Sequence, residues 1–156
     1  MRLMLAAVTV DAARAAAGQR RWHVSDTARV VAAMDLGFAG QAVLSTDFGY
    51  TVALQFGGGY QVHVEVPLTL RIDGLDREIE PGRNADASAV AQLSGQVVSV
   101  ARADDSGGLR IQFAGGTRLV ATPDSAFEAW TVAGPDGLKV VCGPGGELSV
   151  WSPRQS

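Results

Sequence analysis

The chain has little of several things that would reveal a chemistry. Among 156 residues there is one cysteine, Cys142, and one lysine, Lys139, and aromatic residues make up only 6%. A single thiol excludes an internal disulfide and leaves the redox compartment open. Cys142 closes the apolar run VVC ahead of a glycine-rich turn, a pattern that suits a small buried side chain. Only His23 and His63 could serve a thiolate as base. No apolar run approaches the roughly 20 residues that span a bilayer, so no membrane association is expected. The opening LMLAAVTV resembles the start of a secretory leader, but Asp11 and Arg14 interrupt it, and a cytoplasmic location is expected.

Sequence motifs for catalysis and metal binding are missing too. No glycine cluster reads GxxxxGK[ST], no GxSxG elbow occurs, and no acidic stretch has EF-hand spacing. No nucleophile, histidine and carboxylate fall into a convincing set. The formal charge is −3, and the only dense basic cluster is Arg20-Arg21 beside Trp22-His23. Nucleic acid is therefore not an expected partner. No cofactor and no metal site are expected.

What the chain does contain is a pattern that returns. GQAVLSTDFGYTVALQFGGGYQVHVEVP begins at Gly40, and GQVVSVARADDSGGLRIQFAGGTRLVATP begins at Gly95. Each copy reads as strand, turn, strand ending in Gln-Phe, glycine turn, and strand ending at proline. Val52, Leu54 and Phe56 alternate onto one face, as do Val62, Val64 and Val66. The expected fold is mainly β (α+β): two related antiparallel β-meander halves forming a sandwich-like or curved sheet, with about nine or ten strands and one to three short helices. One helix is expected over SAVAQL, with Asn84 or Asp86 as cap and Val90 and Leu93 inward. DGLDREIE reads as an acidic solvated loop, Gly134-Pro135-Asp136-Gly137 as a type I turn and Pro144-Gly145 as a type II turn.

The domain organisation follows. Residues 1–33, rich in Ala and Arg, form an N-terminal extension, partly helical or flexible, with short helices expected over DAARAAA and from Ser25 to about Met34. Residues 34–151 form a single β-rich domain with internal duplication, at about 38–67 and 93–123, plus a C-terminal hairpin. Residues 152–156 are a tail.

Five residues are candidate binding groups. In FEAWTV a strand would place Glu128 and Trp130 on one face, a carboxylate beside an indole. The competing structural reading packs Trp130 in the core and pairs Glu128 with Arg110 or Arg118. Trp151, in the last strand, is a further contact candidate. His63 and Glu65, two apart in a strand, could form half of an acid–base pair or metal site, although a solvent-facing strand surface produces the same alternation.

The stretches Asp35-Leu36-Gly37, HVEVPLTL, LSGQVV and above all GGLRIQFAGGTRLVATPDSAFEAWTVAGPDGLKVVCGPGGELSVW carry a resemblance to an actinobacterial family, domain of unknown function 6188. It covers roughly residues 34 to 151, with Glu128-Ala129-Trp130 and Pro144-Gly145-Gly146 before Trp151 as its most specific parts. The resemblance implies the β-rich fold and no activity. Such proteins often begin near the position of Met34, so residues 1–33 read either as a genuine extension or as an upstream start. By size, charge and the missing catalytic sets, a non-enzymatic protein-interaction module is expected, an immunity-type protein being one concrete form. The alternative is a small-ligand-binding domain with a cleft between the β halves, and the third reading is an enzyme of unknown class.

Overall fold

The computed structural model describes residues 29–31 and 33–152. Expectations for the leader-like start, the DAARAAA helix, the Arg20-Arg21 cluster and the last four residues lie outside them. Where a helix was expected to run to Met34, the chain instead forms two short strands, β1 (Arg29–Val31) and β2 (Met34–Asp35). β-branched Val30 and Val31 suit a strand better than a helix.

The first meander comprises β3 (Val43–Phe48), β4 (Val52–Phe56) and β5 (Gln61–Val64), followed by a hairpin of β6 (Leu68–Ile72) and β7 (Leu75–Ile79). The α-helix α1 (Ala87–Ala91), the only one among the described residues, follows and contacts β3. The second meander is β8 (Val98–Ala103), β9 (Leu109–Phe113) and β10 (Arg118–Ala121), and β11 (Trp130–Ala133), β12 (Lys139–Cys142) and β13 (Leu148–Trp151) complete the chain.

These strands make two antiparallel sheets. Sheet A has the order β1-β13-β12-β11-β5-β4-β3, and sheet B the order β2-β8-β9-β10-β6-β7. Each meander takes up the hairpin that follows the other: β6 pairs with β10, and β11 pairs with β5. Where the two meanders meet, Ala42 and Val97 form an antiparallel bridge. The bonds around it are reciprocal. Val43 N–H donates to Gln96 O at 2.9 Å and Val98 N–H to Gln41 O at 2.9 Å. Gly40 N–H donates to Val98 O at 2.7 Å and Gly95 N–H to Val43 O at 2.8 Å. Irregularities in register recur at Val43/Ser45 and Val98/Val100.

The inward residues of both sheets form one apolar core. It includes Leu54, Phe56, Ile111, Phe113 and Trp130, each 2% exposed or less. This alternation is why the period of two was legible. α1 buries Ala89 and Val90, and Leu93 just beyond it is also buried.

Several local expectations need correction. The acidic DGLDREIE segment is a hairpin strand, β7, in which only Ile79 is buried. As an edge strand with both faces wet, it shows no alternation. Asp86 does not cap α1. Its buried carboxylate instead accepts from Glu80 N–H at 2.8 Å, Arg83 Nε at 2.8 Å and Arg77 Nη2 at 3.3 Å, tying the 80–86 loop together. Asp136, at φ 60 and ψ 29, is left-handed, so the Gly134–Gly137 turn is not type I. Among the described residues the other non-glycine residue with positive φ is Asp73, in the β6–β7 turn. Gly145, at φ 78 and ψ 3, has the third-position geometry of a type II turn.

Candidate functional site

The five residues expected to bind do not converge. Trp130 is fully buried, and its indole N–H donates to Gly107 O at 3.0 Å. Gly107 belongs to a turn organised by Asp104, whose Oδ1 accepts from Ser106 N, Ser106 Oγ and Gly108 N. Burial pushes the Asp104 pKa up, but these hydrogen bonds, helped by the charge of Arg110, outweigh it and hold the carboxyl below its usual range. A Cβ on Gly107 would overlap Gly146 backbone, and one on Gly146 would overlap Ser106 O. Trp130 thus pins the Gly107 turn, which meets the Gly146 turn glycine to glycine.

Strand β11 begins only at Trp130, so Glu128 does not share its face. Glu128 is exposed in the preceding loop, beside Phe127, which is 71% exposed. Neither Arg110 nor Arg118 pairs with it among the described residues. Trp151 is half-buried on the outer face of sheet A, with Lys139 Nζ 5.6 Å from its ring centroid. His63 lies on the same face, in register with Ala53 and Thr131, while Glu65 lies past the end of β5. No carboxylate is in hydrogen-bond contact with His63 among the described residues. Cys142 is buried, and burial followed by the charge of Asp104 pushes its thiol up to about 11. A thiol so placed stays protonated at neutral pH.

The space between the sheets is filled with packed apolar side chains. Two surface hollows lie on the outer faces instead. One, of about 230 Å³, is lined on sheet A by Ser45, Asp47, Gln55, Gln61 and His63 among others. The other, of about 210 Å³, is lined on sheet B by Thr69, Arg71, Asp76, Arg118 and Val120. Among the described residues no group of His, Cys, Asp and Glu could hold a metal ion, and no helix is long and apolar enough to cross a membrane.

The sheet B hollow belongs to a larger feature. Residues 33–152 hold seven Arg and Lys against fourteen Asp and Glu, and four of the seven point outward from sheet B. Arg102 of β8 is directly opposite Arg110 of β9, and Arg118 of β10 directly opposite Arg71 of β6. Like charges in facing positions destabilise a sheet. Carboxylates appear only at the two margins. On one side Asp76 grips Arg71 in a two-point pair, Nε to Oδ1 at 2.8 Å and Nη2 to Oδ2 at 3.2 Å. The hydrogen bond from Arg71 holds the Asp76 carboxyl low against the opposing effect of burial, and the charges of Arg71 and Arg118 add to it. On the other side Asp35 lies in register with Arg102, but its Oδ1 accepts from Gly37 N–H at 2.7 Å. Arg102, Arg110 and Arg118 form no ion pair among the described residues. Sequence reasoning weighed Arg110 and Arg118 only as partners of Glu128 and passed over Arg71 and Arg102, because the four are scattered through four strands; laying the Arg118 and Arg110 positions on the two-residue alternation of each strand would have placed them outward.

The class of protein is therefore a two-sheet antiparallel β-sandwich with a packed interior and one outer face crossed by an arginine stripe, with Asp35, Asp76 and Glu78 at its margins. Residues 34–152 match the family of unknown function DUF6188, and the chain belongs to that family. No curated protein and no solved structure matches the chain.

Proposed function

We propose that this protein is a non-enzymatic protein-interaction module that meets its partner through the outer face of sheet B. The observation that carries the reading is the arginine quartet, Arg71, Arg102, Arg110 and Arg118, set in facing like-charge pairs in an otherwise acidic domain. The fold does not call for it. Register relates the four positions to Asp47, Ala53, Gln61 and Ala133 on the outer face of sheet A, so the same architecture stands there without an arginine. A facing like-charge arrangement that is only partly offset by Asp76 at one end, and is absent from its counterpart, is best explained by an external complement. An immunity-type protein that covers a toxin's surface is one concrete form of such a module, and a cytoplasmic setting fits it. The reciprocal bonds about the Ala42–Val97 bridge also support reading the chain as a duplicated unit of about five strands.

The test is affinity capture from a lysate of the source organism, with the parent and an Arg110→Gln/Arg118→Gln variant of unchanged circular dichroism. One protein recovered by the parent and lost by the variant is the expected result. Equal recovery by both, or recovery of nothing specific by the parent, rejects the reading.

A further inference from the structure

Resting on that reading of the sheet B face, we infer that the complement is an acidic protein segment that presents carboxylates to Arg110 and Arg118, and not a nucleic acid. The four arginines form an oblique stripe across β8, β9, β10 and β6. Three inter-strand spacings make it about 14 Å wide. Arg110 and Arg118 sit in its middle, where Val120 of β10 faces Arg110 and borders the hollow that Arg118 also lines. Half-buried arginines flanked by an apolar side chain can fork onto carboxylates with good geometry.

The pair that already exists on this face shows the chemistry. Asp76 takes Arg71 by two parallel hydrogen bonds, while Arg118, directly opposite Arg71, has no such partner among the described residues. A carboxylate entering the hollow would give Arg118 what Asp76 gives Arg71. Asp76 on β7 and Asp35 on β2 bound the stripe at its two sides, which limits the complement to a short acidic stretch.

Nucleic acid fits poorly on two counts. No aromatic side chain stands among the outward residues of β8, β9, β10 and β6, so a single strand finds no stacking platform. Fourteen acidic residues in the same domain would oppose a phosphate backbone that ran beyond the stripe.

Fluorescence anisotropy at low ionic strength decides the matter, with labelled decaglutamate and labelled decathymidylate as probes of similar charge. The parent should bind decaglutamate more tightly than decathymidylate. Arg110→Gln/Arg118→Gln should weaken decaglutamate by about tenfold or more, as expected when two arginines can no longer donate charge-assisted hydrogen bonds. Lys139→Gln, on the opposite sheet, should change it by less than about twofold, the scale of a remote exposed charge. Tighter binding of decathymidylate, lost in the double variant, overturns the acidic-segment inference and leaves the interaction face standing. Binding of neither probe, or binding indifferent to the double variant, overturns the inference; if lysate capture also gives equal recovery, the interaction reading falls with it.

Discussion

Arg102, Arg110, Arg118 and Arg71 on the outer face of sheet B stand where Asp47, Ala53, Gln61 and Ala133 stand on sheet A. The inward positions of the same strands behave differently. Leu54 and Ile111, Phe56 and Phe113, Val62 and Leu119 are matched across the two halves, and all are buried. Inward side chains answer to packing density and are interchangeable only with apolar groups of similar volume. Outward side chains answer to solvent, so the two faces are free to acquire different chemistry while the sandwich stays the same. The difference between halves thus separates what the fold requires from what it merely permits.

The strongest test of that separation lies in the interior. Leu54→Ala and Ile111→Ala should each cost about 2–5 kcal/mol, the range for removing a large buried aliphatic side chain. Urea unfolding of both variants measures it. Similar losses at the two sites would support equal demands by the halves, and tolerance at one site alone would break the comparison.

Exchanging the faces should move binding and leave folding in place. Giving sheet B the sheet A residues, by Arg71→Ala, Arg102→Asp, Arg110→Ala and Arg118→Gln, should abolish decaglutamate binding while the domain still folds, with some loss in the unfolding midpoint because the Arg71–Asp76 pair goes and an aspartate is set opposite Asp35. Arginine at positions 47, 53, 61 and 133 should confer binding on sheet A. Affinity should change by at least about tenfold in each direction, the scale of adding or removing several charge-assisted hydrogen bonds. If the grafted sheet A face stays inert, the charges alone do not define the surface, and the hollow beside Arg118 matters more than the count of arginines.

Acid should find the places where the halves are not matched. Hydrogen bonding from Glu80 N–H is the main cause that holds the Asp86 carboxyl below its usual range; burial opposes it, and Arg83 and Arg77 add to it. A depressed folded pKa contributes stability that is fully present above the unfolded aspartate value, about 3.9, and is lost as pH falls through the lower folded value. Asp104 has the same sign. Stability measured by urea unfolding should therefore fall from about pH 4 downward. Asp86→Asn should be less stable at neutral pH and show a shallower acid fall. An unchanged acid slope in that variant would remove Asp86 from the account.

How much of this was legible in the sequence depends on how local each signal is. The meanders were readable because Val52, Leu54 and Phe56 alternate against a buried face, and because glycines mark the turns. The exchange of hairpins between halves was not, since the pairing of β6 with β10 joins segments whose separation no local pattern encodes. The same holds for the site. Of the two readings of Trp130, core residue or binding anchor, the second arose because FEAWTV suggests a strand that begins three residues earlier than the one that forms, which gave Glu128 the wrong face. The fate of its indole depends on Gly107, 23 residues away. Arg102 and Arg110 were visible as residues, but their face-to-face register is a property of the sheet.

The smallest expected effect tests the premise that the quartet weakens its own sheet. Arg110→Gln removes one member of the facing Arg102–Arg110 pair and keeps most of the aliphatic stem against the strand. Relief of a directly opposed like-charge pair, offset in part by the lost attraction between Arg110 and the Asp104 carboxylate, should raise stability by about 0.2–1 kcal/mol. The gain should shrink between about 0.05 and 1 M salt, because exposed charges are screened over a few ångströms at the upper end. On sheet A, Ala53→Arg would set an arginine opposite Asp47 and should stabilise by a comparable amount of about 0.2–1 kcal/mol. Opposite charge makes that pair attractive where the sheet B pair repels. A loss of stability in Arg110→Gln would mean that the guanidinium supports the sheet through contacts of its own. The arginines would then belong to the fold after all, and the case for an external acidic complement would lose the strain on which it stands.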